Sequence, residues 1–198
     1  MEISDISELQ YITHISNLKS ILEHGILCHR EARKHDHESV ADEEVQGKRA
    51  KKIVPGGLPL HQYANLYINA RNPMLYSNCQ TYSSQKICVL RIGRNVLFLP
   101  NVVISDGNAA SNYTAFGSVP DGFRKMDKAL VFAKYWKDDD LIIQYKKTRA
   151  ICAEVLVPQR IDASYITGVY CVAGLEALLK VKDLQIPIKV NQDLFFET

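Results

Sequence analysis

Glu154 is a single carboxylate inside the apolar run RAICAEVLVP, flanked by Ile151, Cys152, Ala153, Val155 and Leu156. Strand alternation would put Cys152, Glu154 and Leu156 on one face, so the carboxylate would point into a cleft or sit at the end of a core face. Burying it alone is costly, which leaves two readings open: an ion pair with a nearby Lys or Arg, or a functional site. His14, far earlier, closes the stretch LQYITH. At the end of a first strand it could equally be a structural cap or a ligand. Two basic patches accompany them, one of Lys48, Arg49, Lys51 and Lys52, the other of Lys146, Lys147 and Arg149 just ahead of Glu154. Tyr145 adds an aromatic to the second patch, and aromatics interleaved with cations suit the stacked bases and phosphates of a single strand. A solvated surface is the plainer alternative for either patch.

Several chemistries are disfavoured. The sequence has no GxSxG, GxxxxGK[ST], GxGxxG or HExxH pattern, so the hydrolases and nucleotide-loop proteins built on them do not apply. Cys28, Cys79, Cys88, Cys152 and Cys171 are odd in number, widely spaced and without a CxxC pair, which reads as reduced, mostly buried thiols. His24, His29, His35 and His37 cluster around Cys28, but their spacing fits no common zinc pattern and no metal is expected.

The elements that must position these residues follow from periodicity. LQYITH reads as a strand, Ser16 as the N-cap of a helix carrying Leu18, Ile21 and Leu22, and Gly25 as its stop. Residues 29 to 52 are charged and predict surface helix or loop, ended by VPGGLP. YANLYINA, KICVLRI, NVLFLPNVVIS, RAICAEVLVP, SYITGVYCV and IPIKV predict strands, and GLEALLKV a short helix. Residues 105–149 form a weakly periodic stretch containing Tyr113, Phe116, Tyr135 and Trp136, and such a stretch is more often functional or mobile than structural. The class is α+β with a mainly β core.

At 198 residues, 46% apolar and 23% charged, the chain is sized for one domain, 1–198. No run reaches the roughly 18 apolar residues of a membrane helix. MEISDISELQ has no signal-peptide pattern, so a cytoplasmic location is expected. A net charge of +2 argues against a strongly electrostatic nucleic-acid clamp but allows local patches.

Four segments in order, YITHISNLKSILEHGIL, KRAKKIVPGG, LHQYANLYINARNPMLY and AEVLVP, make the chain resemble the DarT family, the toxins of DarT–DarG toxin–antitoxin systems. The resemblance covers most of the chain. It implies the ADP-ribosyltransferase fold, with two small packed β-sheets around an NAD cleft and flanking helices. It implies transfer of ADP-ribose from NAD, consumed as a substrate, to a thymidine or guanosine base in single-stranded DNA. Arg49 and Glu154 fall on the family's catalytic residues. Ile12, Thr13, His14, Ile21, Arg49 and Arg71 would hold NAD, and Tyr145, Lys146, Lys147 and Arg149 would contact DNA. The implied partner is a separate macrodomain antitoxin of the DarG type, and the free protein is expected to be monomeric. Another NAD-consuming enzyme of this fold, such as an NAD glycohydrolase or an RNA or protein transferase, is the alternative, with a non-catalytic nucleic-acid-binding module as the third reading.

Overall fold

The computed structural model describes residues 1–181 and 185–197. After a 3-10 turn at Ile3–Asp5, strand β1 (Glu8–His14) buries Leu9, Ile12 and Thr13. A second 3-10 turn, Ile15–Asn17, follows at once, and helix α1 (Leu18–His24) continues from it. Ser16, which the sequence predicts as the N-cap of α1, lies instead inside the 3-10 turn; His14 caps that turn, its Nδ1 accepting from the Ser16 N–H at 3.3 Å, and α1 follows Asn17, which makes no side-chain cap bond. Gly25 ends α1 at φ 81°. A Cβ there would collide with the Ile161 carbonyl oxygen, so both conformation and crowding require glycine.

The charged segment that follows holds β2 (Ile26–Leu27), α2 (His29–Ala32) and α3 (Glu43–Ala50), with Asp42 capping α3 through the Val45 N–H at 2.9 Å. Strand β3 (Tyr63–Tyr67) leads to α4 (Pro73–Tyr82), which Asn72 caps and Pro73 starts, a favourable N-terminal pairing. Then come β4 (Ile87–Gly93), β5 (Val103–Ser105), β6 (Phe116–Ser118), and the helices α5 (Asp121–Arg124), α6 (Lys128–Val131) and α7 (Leu141–Ile151). The chain continues with β7 (Glu154–Pro158), β8 (Arg160–Ile161), β9 (Ile166–Cys171), α8 (Leu175–Val181) and β10 (Ile188–Val190).

One sheet has the order β10-β9-β4-β1-β3-β7-β5-β6, and β2 pairs with β8 in a two-stranded ribbon. Strands β1 and β4 are paired along their whole length, from Glu8↔Gly93 to His14↔Ile87, and β3 and β7 from Tyr63↔Pro158 to Tyr67↔Glu154. Between β1 and β3 a single pair remains, Gln10↔Tyr67. The two expected sheets are therefore two four-stranded halves of one sheet, joined at one pair and free to diverge on either side of it. The main core fills the sheet faces around Leu9, Leu66, Leu90, Val155 and Val169, while Val54, Leu60, Tyr63, Ala109 and Leu156 form a second, smaller cluster.

Three expectations need correction. NVLFLPNVVIS is not one strand: Arg94–Phe98 is a 3-10 helix, and only Val103–Ser105 pairs. RAICAEVLVP divides at Cys152, which terminates α7, so Glu154 is the first residue of β7 and Cys152 does not alternate with it along a strand. The stretch 105–149 is also more ordered than its composition suggests, because β6 extends the sheet and α5 to α7 follow.

Candidate active site

Where the two sheet halves part, a cavity of about 520 Å3 opens, within the size range of small-molecule sites. Strand β1 contributes Tyr11, Ile12 and Thr13 to one wall, and β3 contributes Tyr63, Asn65 and Tyr67 to the other. Glu154 enters from the start of β7, Arg49 from the last turn of α3, and the segment 37–42 lies across the mouth.

Arg49 and Glu154 are 6% and 1% exposed. Arg49 Nη1 lies 3.0 Å from Glu154 Oε2 and 3.3 Å from Oε1, and the Ala109 N–H donates to Oε1 at 2.8 Å. The carboxylate is thus held between a side-chain cation and a backbone donor from the loop after β5. Two neighbours respond to it. Burial, with the Glu154 charge second, pushes the Cys152 thiol up to about 12, and the same causes hold the Tyr67 phenol well above its usual value. A thiol pushed that high carries little thiolate at neutral pH, which disfavours Cys152 as a nucleophile. Lys52 is lowered by burial first and by Arg49 second, with Glu154 opposing; its Nζ donates to the Ser111 carbonyl and faces the Phe116 ring at 5.3 Å. This ties the loop carrying Ala109 to the end of α3.

The other anticipated residues divide. Ile12 and Thr13 line the cavity, each 2% exposed. His14 stands at the strand end outside the lining, bonded to Ser16 Oγ at 2.7 Å and edge-on to Tyr82 at 6.1 Å. Ile21 packs against the main core, also outside the lining. Arg71 is buried elsewhere: its Nε donates to the Lys134 carbonyl at 3.2 Å, Nη1 donates to the Asp193 carbonyl, and the guanidinium lies 4.2 Å from the centre of the Phe196 ring. Tyr145, Lys146, Lys147 and Arg149 all lie on α7, not on an irregular approach to the strand. Lys147 pairs with Asp138 at 2.6 Å and Arg149 with Asp106 at 2.7 Å, which leaves Tyr145 and Lys146 as the exposed members.

Several cavity residues were not anticipated. Asn17 is a buried clamp: Nδ2 donates to the Glu38 carbonyl at 2.8 Å and to Thr13 Oγ1 at 3.1 Å, and Oδ1 accepts from the Glu38 N–H at 2.9 Å. The Tyr82 hydroxyl donates to the Ser39 carbonyl at 2.9 Å. Together they pin the segment that crosses the mouth. Asn78 of α4 also lines the cavity, and its buried Nδ2 has no acceptor. The sequence signal for Asn17 is slight, a polar side chain at the strand-to-helix junction HISNL; Ala109 acts through its backbone and offers none. Among the described residues, no group of three or more His, Cys, Asp and Glu side chains is arranged to hold a metal, and no helix is long and apolar enough to cross a membrane.

Comparison with known proteins places this geometry in context. A family profile described as "ssDNA thymidine ADP-ribosyltransferase, DarT" matches residues 10–196. The chain is 33% identical over 203 residues to a "DNA ADP-ribosyl transferase-DNA ADP-ribosyl glycohydrolase fusion protein" of Thermosipho africanus, a match covering 96% of this chain and 49% of that relative. It is 30% identical over 137 residues to a "DNA ADP-ribosyl transferase" of Thermus aquaticus, covering 65% of this chain and 62% of the relative. Thus the chain spans about half to three-fifths of the length of these two. The solved structure of Thermosipho africanus DarTG in complex with ADP-ribose superimposes with a TM-score of 0.82 at 30% identity, over 96% of this chain and 51% of that one. Thermus sp. 2.9 DarT in complex with ADP-ribosylated ssDNA gives 0.81 at 23% identity, over 96% and 97%, a likeness of fold.

Proposed function

Because this chain belongs to the DarT family of ADP-ribosyltransferases, we propose that it transfers ADP-ribose from NAD to a thymidine base in single-stranded DNA and releases nicotinamide. The observation that carries this reading is the buried Arg49–Glu154 pair in a cleft of nucleotide size. Structures of relatives determined with NAD+, ADP-ribose and ADP-ribosylated ssDNA support it.

In the proposed reaction the bond between the ribose carbon and nicotinamide breaks, and nicotinamide leaves with the electron pair. Positive charge develops on the ribose, and a carboxylate fixed beside it stabilises that charge more in the transition state than in the ground state. Glu154 is suited to this because the Ala109 N–H holds it in place when Arg49 turns to the acceptor. Thymine offers one ring N–H, whose nitrogen becomes nucleophilic on losing its proton. Arg49 cannot take that proton, since a guanidinium stays protonated, but its charge favours the electron-rich base. Glu154, no longer paired to Arg49, accepts it. Ile12, Thr13 and Asn17 would form the NAD wall, with His14 at its edge, Arg71 would act only by fixing the segment between β3 and α4 against Lys134 and Asp193, and Tyr145 and Lys146 would stack and pair with the strand.

A toxin of this kind acts in the cytoplasm, where NAD and DNA meet, and requires a DarG-type glycohydrolase that removes the modification; the fused relative of Thermosipho africanus carries both activities in its name. Purified Arg49→Ala and Glu154→Ala variants, given NAD and a thymidine-containing oligonucleotide, should leave it unmodified. Near-normal modification by both would refute the assignment.

A further inference from the structure

Beside the cleft lies a second hollow of about 500 Å3, lined by His29, Arg30, Arg33, Pro59, His61 and Gln62. Two elements build it: α2 with its C-cap Arg33, and the 3-10 turn Leu60–Gln62 that leads into β3. Its lining includes two guanidinium groups and two imidazoles and no carboxylate. Arg30 is engaged weakly, with Glu31 Oε1 at 3.3 Å and Gln159 Oε1 at 3.4 Å, while the Arg33 side chain has no acceptor among the described residues. The His29 and His61 rings stack with centroids 4.1 Å apart and planes 32° from parallel, and a Gln46 oxygen lies 3.1 Å from His61 Nε2.

Of these groups only Arg30 meets a carboxylate, Glu31, among the described residues, so cationic and protonatable groups outnumber their counter-charges and an anion seated among them would be favoured. The mutual effect is visible: His29 is held below its usual pKa by burial first, then by His61, Arg33, His37 and Arg49, and His61 by burial first, then by Arg49, with Gln46 opposing and Arg33 adding to the decrease. Location narrows the anion. His29 is a wall of both hollow and cleft, and Arg49 is close enough to act on both imidazoles. A strand whose acceptor base reaches Arg49 is therefore within reach of this hollow. In the proposed reaction NAD lies within the cleft, whereas a polymer must leave it.

Resting on the proposed function, we infer that the hollow between α2 and the turn before β3 is a phosphodiester site, in which Arg30, Arg33 and the two stacked histidines hold the backbone of the acceptor strand next to the reactive base. Such interactions orient the strand without reading its sequence. The test uses the full chain with NAD and a short thymidine-containing oligonucleotide, comparing the unsubstituted protein with R30A/R33A; both arginines are on the surface outside the cleft. The variant should need about tenfold more oligonucleotide for half-maximal transfer, as expected when charge-assisted hydrogen bonds are removed. The slope of log affinity against log salt should fall by about 0.7 for each phosphate that the variant no longer neutralises. The KM for NAD, and any release of nicotinamide without DNA, should stay unchanged. Unaltered strand dependence and salt slope in an active enzyme would overturn the inference, as would a raised KM for NAD alone, which would make the hollow a dinucleotide site. Failure of the unsubstituted protein to modify any strand would instead overturn the proposed function.

Discussion

At the scale of single residues, the decisive asymmetry is that Glu154 has two partners and Arg49 one carboxylate. Glu154→Gln keeps an acceptor for the Ala109 N–H but removes the counter-charge of Arg49 and turns its amide NH2 toward it, so the melting temperature should fall moderately while transfer falls by about a thousandfold, the scale of removing a charge that stabilises the transition state. Arg49→Ala leaves a buried carboxylate facing only a backbone donor, and breaking such a pair costs about 3–5 kcal/mol in a closed interior, less beside an open cleft. Thermal denaturation of both variants should therefore rank Arg49→Ala as the less stable; the reverse order would contradict the pairing. Cys152, with its thiol near 12, should be replaceable by alanine with turnover retained, and a thousandfold loss would make it part of the chemistry. Glu154 was legible in the sequence because a lone carboxylate in an apolar run demands an explanation. Arg49 was legible only through family resemblance, since several other Lys and Arg residues lie within residues 30–52 and nothing local marks it as the buried one.

Among the elements, the segment 37–42 is held across the cleft mouth by a side chain imitating backbone, Asn17, and by Tyr82. Asn17→Ala removes both bonds to Glu38 and leaves its N–H and carbonyl unmatched, at a cost of about 1–3 kcal/mol for each such group that stays buried. Limited proteolysis should then cut within residues 36–42 faster, and the KM for NAD should rise; unchanged cleavage and KM would show that the segment is held elsewhere. Strands β1, β3 and β4 were legible because each is a short run rich in apolar, aromatic or β-branched residues bounded by turn signals, although their buried positions do not strictly alternate. Helix α7 was not, because Leu141, Ile142, Ile143 and Tyr145 are exposed, so its apolar residues do not mark a core face. The run NVLFLPNVVIS misled because Val96 and Leu97 are as buried in a 3-10 turn as they would be in a strand.

For the molecule as a whole, two four-stranded halves meeting at Gln10↔Tyr67 create the cleft, a feature that strand patterns alone do not reveal because it depends on where pairing stops. Acid should act on the whole fold through His29 and His61. Both are lowered in the folded protein, so the unfolded chain binds more protons, and stability rises with pH through the interval below the ordinary value of about 6.5. The lowered carboxylates, such as Asp5 and Asp162, have the opposite displacement relative to their charge, and their contribution is lost only near and below about pH 4. Melting temperature should thus drop between about pH 7.5 and 5.5, an interval that spans the ordinary histidine value, and His61→Asn should flatten that drop; an identical drop in the variant would assign the acid sensitivity elsewhere. The most direct test of the proposed chemistry is mass spectrometry of four single-stranded oligonucleotides, each lacking one base, after incubation with the protein and NAD. Every strand containing thymidine should gain ADP-ribose on that base, the strand lacking it should gain none, and Glu154→Gln should modify none of them. Addition to the thymidine-free strand, or transfer surviving in Glu154→Gln, would contradict it.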